Sequence, residues 1–179
     1  SNPTGYVYSK KELEALRDLV LKHDLFLLSD EVYREFVYEG SSYFSVMQLE
    51  GIEDRTVLLD SVSKRYSACG ARVGSLISKN KEIIATALKL GQARLCAPTL
   101  EQMAAEEAID TPDSYFAEVV REYDKRRKIV MEGLSKIKNV TYGQPKGAFY
   151  CIVELPIANA DDFAQWLLED FRVNNETVI

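Results

Sequence analysis

The feature that most constrains the fold is an alternation of short apolar segments with segments of helical periodicity. Residues 25–29 (LFLLS) form an apolar segment that ends in Ser29, and they follow a segment whose leucine and valine residues recur at helical spacing. Two further short apolar segments, at residues 56–59 and 73–78, have the length of buried strands. Strands that alternate with helices predict an α/β fold with a parallel-rich sheet.

Capping signals place the helices between these strands. Ser9 and Glu12 form a capping-box pattern, which predicts a helix that ends near residues 23–24. The remaining periodicity predicts helices over residues 81–92, 100–109 and 160–171 and a strand over residues 147–156.

A long helical segment divides the chain. Thr111 is a candidate N-cap, Pro112 suits the first helical position, and the periodicity continues to about residue 138. At 1.5 Å per residue the helix would be roughly 40 Å long, more than one small domain needs. The predicted organisation is the C-terminal part of a large domain (residues 1–112), an interdomain helix (residues 113–138) and an incomplete smaller α+β domain (residues 139–179).

Composition excludes several classes of function. The net charge of −6 argues against nucleic-acid binding, which needs a basic surface to displace counterions. No apolar run approaches the ~20 residues that span a bilayer, so no membrane partner is expected. Cys69, Cys96 and Cys151 are too few and too scattered for a disulfide framework, and with His23 as the single histidine a metal site is not expected. These features predict free thiols and a cytoplasmic protein.

Lys64 is the first candidate for chemistry, because it lies in a loop of small and hydroxyl residues between two predicted strands. A lysine becomes a nucleophile when it is desolvated or condenses with an aldehyde, and the flanking strands could supply an apolar surface for it. The alternative is a solvated lysine in a surface turn.

Asp30 and Tyr33 follow the apolar segment at residues 25–29. In open parallel sheets, ligands bind at the carboxyl ends of the strands, and a carboxylate there could hold a ring nitrogen protonated. Alternatively, Asp30 caps the next helix and Tyr33 only packs its ring.

Arg72 lies near Gly70 and Gly74, which permit close approach of a ligand to the backbone. Its guanidinium, together with the hydroxyls of Ser61 and Ser63, offers the groups that hold a phosphate. A structural salt bridge is the alternative role for this arginine. The chain thus offers a lysine for an aldehyde, a carboxylate for a ring nitrogen, a phenol and a set of phosphate-binding groups. Together these groups complement pyridoxal 5′-phosphate.

Three motifs extend this interpretation to a family. They are NPTG at residues 2–5, SDEVY at residues 29–33 and SVSKRYSACGARVG at residues 61–74. In their order and spacing the chain resembles the class I/II, fold-type I aminotransferases, the aspartate aminotransferase family, over essentially its whole length. The chain looks like an internal fragment of such an enzyme, because by this resemblance further site residues lie upstream of NPTG and beyond residue 179.

The resemblance implies a role for each candidate residue. Lys64 would bond to the cofactor's aldehyde and then carry the proton between the substrate Cα and the cofactor. Asp30 would pair with the pyridine nitrogen, and Tyr33 and Asn2 would hydrogen-bond the 3′-oxygen. The phosphate would be held by Ser61 and Arg72, with Ser63 as a weaker candidate.

The implied function is transfer of an amino group from an amino acid, aspartate or a similar one, to a 2-oxo acid by way of pyridoxamine phosphate. The resemblance also implies a homodimer whose partner completes each site, and a fragment that is inactive by itself. A cofactor-dependent lyase or decarboxylase of the same fold would share every residue named. A regulator that binds pyridoxal phosphate without turnover is the alternative from a different class.

Overall fold

The computed structural model describes residues 1–38 and 40–177. Helix α1 covers Lys10–His23 and begins with the predicted capping box. The Ser9 hydroxyl accepts a hydrogen bond from the Glu12 backbone N–H, and the Glu12 carboxylate accepts one from the Ser9 N–H. The helix ends at Asp24, whose backbone is left-handed (φ 53°). The prediction of this helix is confirmed.

Three strands form the main sheet, in the order β1 (Leu27–Asp30), β2 (Thr56–Ser61) and β3 (Gly74–Ile77). β1 pairs with β2 in parallel, and β2 pairs with β3 in antiparallel. The predicted α/β class is confirmed, with parallel pairing at β1 and β2. β1 begins two residues later than predicted, because the N–H of Leu25 donates to the Val20 carbonyl and still belongs to the end of α1.

β3 differs from the sequence prediction of a buried strand, since all four of its residues are exposed. It is an edge strand of the described sheet. Its direction follows from the connection that precedes it, which contains the short helix α2 (Val62–Arg65) and a 3₁₀ turn at Cys69–Ala71. A helix of four residues cannot carry the chain back across the sheet, so β3 starts at the edge where β2 ends.

The remaining helices lie close to their predicted positions. They are α3 (Lys81–Ala93), α4 (Thr99–Glu107), α5 (Asp113–Ser135) and α6 (Ala160–Glu169). The N-cap of α5 is Pro112 rather than Thr111, and the helix ends before residue 138. No helix in the described part of the chain is both long and apolar enough to cross a membrane.

The strand predicted over residues 147–156 is wrong in its extent. Only β5 (Val153–Glu154) forms, and it pairs in antiparallel with β4 (Thr141–Tyr142). Ala148 has a left-handed backbone (φ 54°), which an extended strand does not allow, and it donates its N–H to the carbonyl of Phe36. At Gly147 a Cβ would lie only 2.8 Å from the Phe36 carbonyl oxygen, so this close approach requires glycine.

Two apolar clusters hold these elements together. The first lies between α1 and the chain that leads into β2, and its buried members are Leu13, Val20, Val46, Leu49 and Ile52. The second lies beside the end of β1, and its buried members are Tyr33, Phe36 and Ala148. The second cluster therefore joins the turn after β1 to the chain that follows α5.

Ile52→Ala should lower the free energy of unfolding by about 2–5 kcal/mol, because Ile52 is fully buried and its truncation leaves a cavity. Ile129→Ala is the matched control, since Ile129 on α5 is 60% exposed. Urea unfolding followed by circular dichroism measures both changes. Equal losses in the two variants would contradict the placement of the first cluster.

Candidate active site

The sheet brings the predicted site residues to one edge. Asp30 and Ser61 are the last residues of β1 and β2, which are parallel and therefore end at the same edge. Ser61 pairs with Gly74, the first residue of β3. Lys64 follows Ser61 in α2, and Arg72 precedes Gly74. Segments remote in sequence thus present a carboxylate, an amine and a guanidinium at one sheet edge.

Lys64 is half-buried on the first turn of α2. Ser61 caps this helix, with its hydroxyl accepting the N–H of Ser63 at 3.1 Å. The Lys64 Nζ lies 5.9 Å from the ring centre of Tyr33 and 6.0 Å from that of Phe149. The two rings supply an aromatic surface beside the amine, in place of the apolar surface expected from the flanking strands.

Tyr33 is buried, and its hydroxyl lies 2.6 Å from the hydroxyl of Tyr150. Its ring also meets the rings of Phe36 and Phe149 edge to face. Burial raises the pKa of the Tyr33 phenol, and the hydrogen bond to Tyr150 and the negative charge of Asp30 raise it further. Tyr33 therefore keeps its proton at neutral pH and can donate a hydrogen bond, in addition to packing as the alternative role supposed.

Asp30 is exposed at the end of β1. Its Oδ1 accepts the N–H of Val32 at 3.1 Å. The alternative role was to cap a helix, but a turn follows the strand, and Asp30 caps that turn. No ion pair to Asp30 is found within residues 1–38 and 40–177. The carboxylate retains acceptor capacity for a cationic or N–H donor of a ligand.

The candidate phosphate ligands are the hydroxyl groups of Ser61 and Ser63 and the guanidinium group of Arg72. The Ser61 Oγ is 2.7 Å from the Ser63 Oγ and 3.0 Å from the carbonyl oxygen of Val73. Arg72 is exposed, has a left-handed backbone (φ 56°) and donates one hydrogen bond, to the Cys69 carbonyl at 3.0 Å. The structural salt bridge considered for Arg72 is not found among the described residues, which leaves donors of its guanidinium for an anion.

Asn2 lies in the exposed N-terminal turn, which the Gly5 N–H closes by donating to the Ser1 carbonyl. A cavity of about 250 Å³ is lined by Ser1, Asp30 and Tyr33, among others. The structure therefore places the turn that carries Asn2 beside the end of β1.

Sequence reasoning missed Phe149 and Tyr150. Tyr150 is 117 positions from Tyr33, and no periodicity or spacing connects the two residues. The aromatic pair that follows Gly147 and Ala148 is the available signal, but the apolar run predicts a strand there. The left-handed backbone of Ala148 interrupts an extended strand, and the Tyr150 hydroxyl lies 2.6 Å from the Tyr33 hydroxyl.

Glu31 was also missed, although it lies within the SDEVY motif. Its side chain is buried and accepts hydrogen bonds from the Ser45 hydroxyl at 2.8 Å, the Val46 N–H at 2.9 Å and the Tyr43 hydroxyl. These bonds fix the loop before β2 against the end of β1, so Glu31 supports the position of Asp30.

The donor set at this edge fits pyridoxal 5′-phosphate. The cofactor presents an aldehyde, a ring nitrogen, a ring oxygen and a phosphate. The edge presents an amine at Lys64, a carboxylate at Asp30, a protonated phenol at Tyr33 and a guanidinium at Arg72, the last beside the Ser61 hydroxyl. Each group of the cofactor has a chemical complement among these residues.

Comparison with known proteins finds aminotransferases. The model of the family Aminotransferase class I and II matches residues 1–177. The chain is 33% identical to aromatic-amino-acid aminotransferase 2 of Thermococcus litoralis, over 97% of the chain and 45% of that protein. It is 34% identical to the aspartate aminotransferase of Pyrococcus abyssi, over 96% of the chain and 45% of that protein.

Solved structures show the same likeness. The aspartate aminotransferase of Thermotoga maritima superposes with a TM-score of 0.83 at 34% identity, over 95% of this chain and 44% of that one. The aromatic aminotransferase of Pyrococcus horikoshii superposes with a TM-score of 0.85 at 32% identity, over 94% of this chain and 46% of that one. The chain thus spans about half the length of the proteins that it matches.

Proposed function

We propose, from the premise that this chain belongs to the aminotransferase class I and II family, that the whole protein moves an amino group from an amino acid to a 2-oxo acid. The names of the relatives support aspartate or a similar amino acid as the donor. Because the chain spans about half the length of these relatives, the activity is assigned to the whole protein rather than to these 179 residues alone.

One observation carries this proposal. The Lys64 amine lies against the rings of Tyr33 and Phe149, at the sheet edge where the Asp30 carboxylate also ends. A half-buried lysine beside two aromatic rings, at the sheet edge where a carboxylate also ends, is suited to bind a carbonyl compound covalently and to move a proton.

The proposed roles use the groups as the structure arranges them. When bound, pyridoxal 5′-phosphate supplies an electron sink for the carbon that loses its proton. Lys64 would hold the cofactor through its aldehyde group, and its amine, once displaced by the amino group of the substrate, would take and return the proton of the substrate Cα. The Asp30 carboxylate would hold the ring nitrogen, and the Tyr33 hydroxyl and the Asn2 amide would hold the ring oxygen.

The phosphate is assigned to Arg72 and Ser61, with a lesser part for Ser63. The Arg72 guanidinium is exposed, and its one described hydrogen bond is the one to the Cys69 carbonyl. The Ser61 hydroxyl is shared with Ser63 and Val73, so it turns toward a ligand only by exchanging one of these partners. For this reason Arg72 is the stronger of the phosphate ligands.

The proposed domain organisation follows the long helix, with a large domain over residues 1–112 and part of a smaller one over residues 139–179. We further propose a homodimer in the cytoplasm. Large apolar side chains on and around α3 and α4 support coverage by another protein surface, and the most exposed are Leu90, Leu95, Leu100 and Ile109. The three free cysteines support a reducing compartment.

Lys64→Ala should abolish covalent attachment of pyridoxal 5′-phosphate at this sheet edge, because the substitution removes the amine that lies beside the rings of Tyr33 and Phe149. The measurement is borohydride reduction of the full-length protein with the cofactor, followed by mass spectrometry of its peptides. Lys136→Ala is the control, since the Lys136 side chain is 69% exposed and pairs with Glu132. A reduced adduct that maps to a different lysine in the unsubstituted protein would refute the assignment.

Asp30→Asn should leave the cofactor bound but lower kcat for transamination by about 10²–10³, because a charge aimed at the reacting system is lost. Stopped-flow half-reactions with aspartate measure the effect in the full-length protein. Asp18→Asn, on the exposed face of α1 beside Arg17, should leave kcat unchanged. An Asp30→Asn rate close to that of the unsubstituted protein would exclude the role at the ring nitrogen.

A further inference from the structure

Four charged side chains form an ion cluster next to Lys64. Its members are Arg34, Glu35, Asp60 and Arg65. The Arg65 Nη2 donates to the Asp60 Oδ2 at 2.7 Å, and its Nε lies 2.6 Å from the Glu35 Oε1. Arg34 pairs with the same two carboxylates, at 3.0 Å from Glu35 and 3.1 Å from Asp60. Two cations and two anions thus balance each other.

The cluster is largely removed from water. The side chains of Asp60, Arg65 and Glu35 are 10%, 15% and 20% exposed. Burial lowers the pKa of Arg65, but Glu35 and Asp60 raise it by more, so Arg65 stays charged. Ion pairs at this depth lose hydration that their mutual attraction recovers only in part.

The ion pair between Arg65 and Glu35 lacks the hydrogen-bond geometry that strong stabilisation would require. The Arg65 Nε approaches Glu35 without the alignment of a hydrogen bond. The Glu35 Oε2 is buried and has no hydrogen-bond partner among the described residues. A buried unsatisfied acceptor costs about 1–3 kcal/mol. A contribution other than stability therefore accounts better for these four charges.

The segments that the ion cluster joins indicate what the four charges contribute. Glu35 belongs to the turn after β1, which also carries Tyr33, and Asp60 lies near the end of β2. Arg65 is the neighbour of Lys64 in α2. A helix of four residues has little stability of its own, so contacts to the rest of the protein decide how it is oriented. Arg65 supplies two such contacts.

We propose that Arg65, held by Glu35 and Asp60, is a positioning residue that keeps the amine of Lys64 against the rings of Tyr33 and Phe149. Release of Arg65 lets α2 turn about its Ser61 cap and carries Lys64 away from the rings. This inference rests on the proposed function, because the position of Lys64 matters only if Lys64 reacts.

The test compares Arg65→Met, Arg65→Lys and Glu35→Gln in the full-length protein. The first readout is the rate at which pyridoxal 5′-phosphate becomes reducible onto Lys64. Arg65→Met should slow this rate about tenfold to hundredfold, because displacement of a reacting group by about 1 Å has effects of that size. Arg65→Lys should recover part of the rate, since it keeps the charge but not the two-pronged contact.

The second readout needs no cofactor and separates positioning from stability. In protein freed of cofactor, brief acetic anhydride labelling gives the acylation of Lys64 relative to the exposed Lys136. Arg65→Met should raise this ratio severalfold, because Lys64 moves away from the two rings.

General destabilisation would also raise the ratio, so Ile52→Ala, which truncates a buried side chain outside the ion cluster, measures the rise from lost stability alone. The rise in Arg65→Met should exceed the rise in Ile52→Ala. Arg126→Met is the matched control, because the ion pair of Arg126 with Glu122 is exposed on α5.

Each outcome decides one claim. Adduct rates within twofold of the unsubstituted protein in both Arg65→Met and Glu35→Gln, with an acylation ratio that rises no more than in Ile52→Ala, overturn the positioning role. If Arg65→Met does not fold, the same two readouts on Glu35→Gln test the positioning role, because glutamine keeps the shape of glutamate and removes its charge. If the unsubstituted protein forms no adduct at Lys64, the proposed function fails, and the acylation ratio still shows whether the ion cluster positions the lysine.

Discussion

The register between the parallel strands β1 and β2 determines how Asp30 and the loop that carries Lys64 lie relative to each other. Asp30 pairs with Leu59, so the carboxylate and the loop that carries Lys64 emerge from the same edge of the sheet. A slip of one residue would turn Asp30 to the opposite face. The second pairing, of Ser61 with Gly74, brings Arg72 to this edge. At Gly74 a Cβ would lie 2.9 Å from the Asp60 carbonyl oxygen, so the close pairing of these strands depends on glycine.

An aromatic cluster links this edge to the C-terminal part of the chain. Tyr33 and Phe36 come from the turn after β1, Tyr123 from α5, and Phe149 and Tyr150 from the segment that follows it. Their ring centres are 5.0–6.1 Å apart. Two of these rings also lie beside the amine of Lys64, so a movement of the C-terminal segment relative to the sheet would change the surroundings of the lysine. The aromatic cluster therefore belongs both to the candidate site and to the contact between the sheet edge and the C-terminal segment.

Capping patterns and apolar runs predicted the elements that depend on contacts between residues close together in the sequence. The capping box of Ser9 and Glu12 set the start of α1, and the apolar run at residues 56–59 lies within β2. Lys64, Asp30 and Arg72 could be selected because each follows or precedes a strand. Tyr150 and the ion cluster around Arg65 could not, because their contacts join positions far apart in sequence, and mixed charges in a sequence usually indicate a solvated surface. The exposure of β3 also depends on which elements cover the sheet, which the segment itself does not encode.

The edge formed by β1, β2 and α2 is proposed to bind pyridoxal 5′-phosphate through Lys64, and a crystal structure of the full-length protein grown with this cofactor would test the proposal. We expect electron density continuous with the Lys64 Nζ, with the ring nitrogen facing Asp30 and the phosphate beside Arg72. Cofactor density joined to another lysine, or a phosphate bound away from this edge, would contradict it.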